Sequence, residues 1–312
     1  MKTIKLLFIS AVTVLLVACA AADSYRLAAH DEEEYGLGGT GIVGSVTGFG
    51  SIFVNGLELE ITDQTVISLN GQRLSEYQFQ IGETVEILAA DSSSHSDALR
   101  VNIRQELIGP IAGYDKERQI LQVLGQQVRL EDDGKEWLPG QFVAVSGYVD
   151  QNGLIQARLI QRQQNNRVLL RGEVDEIEQR LEQNGISIIG GDQLGAFKGT
   201  VLVEGTLKQR ELDIQRIQMQ PLLPFKQVGS WRIEGFASHY SARWSELKKL
   251  PSSATQPLQF ELKIKANGKV AIKQLETKSL RRGAKQSLYA PFNNRSQSPM
   301  RRQSGSGAKG RP

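Results

Sequence analysis

The chain has 312 residues, of which 40% are hydrophobic, 23% charged and 6% aromatic, with one cysteine, three histidines and a formal net charge of +3. One cysteine excludes an intramolecular disulfide framework, and His30, His95 and His239, far apart and without cysteine partners, give no metal-ligand spacing. The charge is uneven: setting aside the ten basic residues of the two ends, 1–22 and 281–312, leaves 27 basic against 34 acidic residues, a net −7 for the body.

In chain order, Met1 to Lys5 carries two lysines and runs into the apolar stretch Leu6 to Val17, followed by small residues, the layout of a secretory signal over residues 1–18. A membrane helix needs about 20 apolar residues, so this stretch is too short to span. The segment Leu16-Val17-Ala18-Cys19-Ala20 resembles a bacterial lipobox, with the only cysteine placed to become the lipidated N-terminus. An ordinary cut near Ala22 that discards Cys19 is the alternative, but it leaves the cysteine without a purpose. Each buried acyl methylene contributes about 0.8 kcal/mol, so several chains on Cys19 would hold the protein firmly. Ala20 after the cysteine resembles lipoproteins sorted to the outer membrane, and a lipid-anchored position on its periplasmic face is expected. Residues 19–40, with Asp31-Glu32-Glu33-Glu34, read as a flexible spacer.

Beyond the spacer the sequence repeats. Gly44-Ser-Val-Thr-Gly-Phe49 recurs as Gly109-Pro-Ile-Ala-Gly-Tyr114, Gly172-Glu-Val-Asp-Glu-Ile177 and Gly235-Phe-Ala-Ser-His-Tyr240. A second mark follows in three units, at Gly82, Gly140 and Gly199, each ahead of a valine-rich run. A third closes all four, from Ala98, Gln156, Asp213 and Ala271. Apolar residues alternate, as in Leu121, Val123, Val128 and Leu130, which is a strand period with one face buried. Helical spacing is not expected past the signal. The pairs Asn55-Gly56, Asn70-Gly71, Asn152-Gly153, Asn184-Gly185 and Asn267-Gly268 are read as five hairpin turns. The expected fold is therefore all-β: tandem small OB-like β-barrel repeats over residues 41–107, 108–165 and 166–220 and a degenerate fourth over 226–280. An extended row of such modules is the expected shape. Residues 281–312, with eight Lys or Arg and no acid, read as a disordered basic tail.

Gly39-Thr40-Gly41-Ile42-Val43-Gly44 has the spacing of a dinucleotide fingerprint, but such a loop needs a strand before it and a helix after it. An acidic spacer precedes and strand alternation follows, so these read as strand glycines and no cofactor is expected.

The strings "GTGIVGSVTGFGSIFVNGLELEITDQTVI", "IGETVEI" and "PGQFVAVSG" resemble the repeat of a bacterial exported family known as domain of unknown function 5666, over residues 38 to 218. The resemblance implies an envelope-facing protein of small β-barrel repeats, frequently a lipoprotein, with no catalytic residues to carry over.

No residue set names a reaction. His95 within Asp91-Ser-Ser-Ser-His-Ser-Asp97 reads as a solvated loop rather than a triad, Glu58 and Glu60 as an outer strand face, and Asp132-Asp133 as a turn. Phe49, Tyr114 and Tyr240 share a repeat position and are expected in equivalent core sites. Trp231 and Trp244 lie outside the repeated positions and are candidate contact residues, with Arg281, Arg282, Arg301 and Arg302 of the tail. The expectation is a non-catalytic, membrane-anchored scaffold without metal or cofactor that contacts an envelope protein or an anionic polymer. A polyanion binder acting through the tail is the second reading, and the acidic body argues against nucleic acid as a partner.

Overall fold

The computed structural model describes residues 39–275 except 132–133, 190, 227, 252–255 and 266–268. The signal peptide, Cys19, the spacer up to residue 38, His30, Asp132-Asp133, Asn267-Gly268 and the basic tail with Arg281, Arg282, Arg301 and Arg302 lie outside the described residues.

The first unit contains β1 (Thr40–Gly48), β2 (Ile52–Val54), β3 (Leu57–Glu60), β4 (Val66–Leu69), β5 (Gln72–Leu74), β6 (Thr84–Ala89) and β7 (His95–Arg104). Alternation puts Val46, Val54, Leu59, Ile87 and Ile103 on one face, and burying each such side chain contributes about 1.5–3 kcal/mol. The sheet curls around them until it closes: β1 pairs antiparallel with β2 and β6, β2 with β3, β6 with β7, and β3 parallel with β7. The hairpin β4–β5 is appended to β7. The second unit repeats the ring with β8 (Leu107–Asp115), β9 (Ile120–Val123), β10 (Gln126–Arg129), β11 (Phe142–Val149) and β12 (Ile155–Gln163), including the parallel closing pair β10–β12. Both are five-stranded OB-like barrels.

The third unit starts alike with β13 (Arg167–Glu173), but the chain then forms a helix, α1 (Val174–Gln183), at the point in chain order where the barrels have their second strand. It continues through β14 (Ser187–Ile189), the 3₁₀ helix Gly191–Ala196, β15 (Thr200–Lys208) and β16 (Glu211–Met219), and among the described residues does not close into a ring. The fourth unit consists of β17 (Ser230–Gly235), the short helix α2 (Ala237–Ser241), a one-turn helix Ser245–Lys249, β18 (Leu258–Ile264) and β19 (Val270–Gln274). The expectation of no helices fails here because Val174, Ile177 and Leu181 follow a helical spacing, and that face is buried in the core.

Three of the landmark glycines hold one register position, Gly44 facing Val85, Gly109 facing Val143 and Gly172 facing Val201, while Gly235 faces Leu258 at the start of β18. A bulge recurs beyond them, at Leu88/Ala89, Ser146/Gly147 and Glu204/Gly205. Opposite those bulges stand Ala98, Ala157 and Ile214, so the third mark of the second and third units is displaced by one residue from the sequence alignment. Such a slip exchanges the two faces of a strand.

Asn55-Gly56 and Asn70-Gly71 form hairpin turns with both residues at positive φ. Asn152-Gly153 lies in the β11–β12 hairpin, held by Asp150. Asn184-Gly185 is a correction: it ends α1, with Gly185 at φ 64 after the helix, and makes no hairpin.

The extended row is also corrected. Units pair through their first strands, β8 antiparallel with β13 and β1 parallel with β17, so the fourth unit returns to the first. The second and third units share a core cluster, and Val43 and Leu88 of the first unit enter that of the fourth. Small barrels bury too little surface alone, and this pairing supplies the rest.

Candidate functional site

Where the units meet, the sequence places charge. Arg104, at the end of β7, lies 3.2 Å from Glu86 of β6 and 2.7 Å from Glu106, and Arg171 of β13 lies 3.6 Å from the other Glu106 oxygen. Burial opposes the Arg104 charge, but Glu106 and Glu86 outweigh it and hold its pKa above the ordinary value. Burial, then the Arg104 charge, bring Arg171 down to about 10. Nearby the Glu234 carboxylate accepts from the Ser45 N–H at 3.1 Å and the Arg158 guanidinium at 3.0 Å. Tyr148 and Ser45 share a hydrogen bond of 2.8 Å, and burial followed by the Glu234 charge raises the Tyr148 pKa well above normal. A cavity of about 30 Å³ between Arg104, Glu106, Tyr148, His239 and Tyr240 has room for about one water. These groups answer one another across the units, so their chemistry joins the units together.

The outer face of the first barrel is different. Glu58 and Glu60 alternate on β3, and the parallel pairing of β3 with β7 brings His95 beside them. The imidazole lies between the carboxylates, Nδ1 3.4 Å from Glu58 and Nε2 3.6 Å from Glu60. The carboxylates meet opposite nitrogens, so they offer no common point to a metal ion. Ser51 donates to Glu58 at 2.9 Å, and Phe49 in the same β1–β2 turn is 53% exposed. In the adjoining loop Asp91 accepts from the Ser93 N–H at 2.7 Å and from the Ser93 hydroxyl, which together hold its pKa low. The Ser93 hydroxyl also reaches the His95 carbonyl, so this serine is spent on the turn rather than on the imidazole. An exposed aromatic can stack on a ligand, and exposed carboxylates and an imidazole can hydrogen-bond one. Strands 2 and 3 with their flanking loops are also where OB barrels commonly bind.

Several sequence expectations change. Trp231 is a correction: it is fully buried, stacked on Phe225 at 5.9 Å, with its N–H donating to Val228, because its ring lies on Gly41 of β1. It is a core residue and offers no contact surface. Trp244 is half-buried against the fourth-unit core. Phe49 does not share a core site with Tyr240, since it lies in a turn beyond the β1 bulge while Tyr240 is buried on α2. Tyr114 is partly buried. Of the residues singled out beforehand, the structure brings together His95, Glu58 and Glu60.

Residues 40–101 and 109–161 match the family model of a domain of unknown function, DUF5666. The two segments coincide with the two closed barrels, which supports the family resemblance for that part of the chain. No curated protein and no solved structure matches the chain.

Proposed function

We propose that the protein is a non-catalytic scaffold, anchored by lipid on Cys19 at the periplasmic face of the outer membrane, whose barrels contact an envelope protein or a wall or surface polymer. The observation that carries this reading is the surface cluster of His95, Glu58 and Glu60, together with the exposed Phe49 in the turn whose Ser51 bonds Glu58, on barrels whose interiors are filled by side chains such as Leu59, Ile87, Leu121 and Val143. A ligand would be met on the outside, by stacking and hydrogen bonding. The net −7 of the body favours a neutral or cationic surface opposite this face.

A photocrosslinking residue at position 49 in intact envelopes is expected to trap a discrete partner, whereas the same residue at the exposed Gln127 is not. Identical adduct patterns from both sites would remove the reading. The anchor is tested apart: Cys19→Ser should shift the chain from the membrane fraction to the soluble one, and unchanged sedimentation counts against lipidation. A second reading, a polyanion binder, is favoured by the eight Lys or Arg without an acid in residues 281–312. Deleting that segment should then abolish low-salt retention on heparin or lipopolysaccharide, and unchanged retention excludes it.

A further inference from the structure

The third unit leaves one strand position open. In both barrels the third strand is paired on two edges: β3 lies between β2 and β7, and β10 between β9 and β12. Their counterpart β14 pairs with β16 on one edge and, among the described residues, has no strand on the other. The segment that would supply that strand is α1, whose Val174, Ile177 and Leu181 plug the core instead. The Ser187 N–H donates to the Arg210 carbonyl at 2.8 Å, so strand alternation turns the N–H and C=O of Ile188 away from β16. Ile188 lines an open groove of about 690 Å³, together with Ile186 of the preceding turn and Glu178 and Glu182 of α1. Such an edge is a template for an added strand.

We propose that this edge of the third unit receives an extended cationic segment of a partner protein, added antiparallel to β14 in the place that β2 and β9 occupy in the barrels. The direction follows from those two strands, each antiparallel to the third strand of its own unit. The charge follows from Glu178 and Glu182, one helical turn apart. Side chains at that spacing are about 6 Å apart, close to the about 6.8 Å between alternate residues of a strand. Two Lys or Arg residues separated by one position therefore each meet a carboxylate, while the half-buried Ile186 and Ile188 receive the apolar part of the segment. The barrels show how short such a strand can be, since β2 consists of Ile52–Val54. This site is separate from the face around Phe49, so the two readings fail independently.

The test uses the full chain and a fluorescein-labelled peptide of alternating arginine and valine, with alternating glutamate and valine as control, followed by anisotropy. Saturable binding of the cationic peptide alone is expected. Glu178→Gln with Glu182→Gln should weaken it about three- to tenfold, the range of two partly exposed ion pairs. Ile188→Pro removes a donor that β16 does not use, and should weaken binding while the thermal transition persists. Charge reversal with Glu178→Lys and Glu182→Lys should transfer preference to the acidic peptide. Absence of saturable binding, equal binding of both peptides, or indifference to the glutamine pair overturns the proposal. So does a dimer in sedimentation that Ile188→Pro dissolves, because the edge would then belong to a second copy.

Discussion

Glu83 is buried in the first unit, where its carboxylate accepts the Tyr77 hydroxyl at 2.5 Å and the Gln80 N–H at 2.9 Å. Burial outweighs both bonds and raises its pKa above the ordinary 4.5. Between 4.5 and that raised value the folded chain holds a proton that the unfolded chain has released. Its contribution to stability is therefore full below 4.5 and is lost as pH rises through the raised value. Taken from pH 7 down towards 4.5, the native protein should gain stability relative to Glu83→Gln, read from urea midpoints across the series. A difference that stays flat, or that shrinks on acidification, rules this out. Nothing in the string Gly82-Glu-Thr-Val-Glu-Ile87 marks Glu83 as buried, and the same holds for Arg104, Glu106 and Arg171. Local patterning reports which face of a strand a residue takes, whereas the burial of Arg104, Glu106 and Arg171 comes from groups of other units laid over that face.

Strands, tight turns and the glycine landmarks of the first three units were legible in the sequence because each depends on neighbours within a few residues. Alternation exposes a buried face, and Asn-Gly pairs mark positive φ wherever two strands run on either side. Asn184-Gly185 reads the same way, yet it follows a helix, and the dipeptide serves as a helix end as readily as a hairpin. The signal for α1 was present in the spacing of Val174, Ile177 and Leu181. The match of Gly172 with Gly44 holds for the strand up to Glu173 and not beyond it, so the repeat does not carry that signal. The candidate site was half legible. Glu58 and Glu60 share a face by alternation, but His95 joins them through parallel pairing with β7, and a parallel partner lies beyond any hairpin. The exposure of Phe49 follows from the register shift between Val46 and Gly48, which ends the alternation just before it.

At the scale of the molecule, closure of the four units depends on one close approach. A Cβ at Gly41 would overlap the Trp231 ring, so the glycine in β1 and the tryptophan in β17 require each other across 190 positions of chain. Around that contact the Asn55 amide donates to the carbonyls of Val43 at 2.8 Å and Arg232 at 3.3 Å, stitching β1 to β17. Gly41→Val must displace the indole, and overpacking of this kind costs about 1–3 kcal/mol. The cost falls on the junction rather than on either barrel interior, because Gly41 faces the fourth-unit core while Ile42 faces that of the first. The variant should therefore lose amide-exchange protection in β17 and β18 first, retain it in β8, β11 and β13, and become sensitive to limited proteolysis after Met219. Uniform loss of protection over all four units would mean that the chain folds as one cooperative block, and unaltered protection in β17 would mean that Trp231 does not hold the ends together.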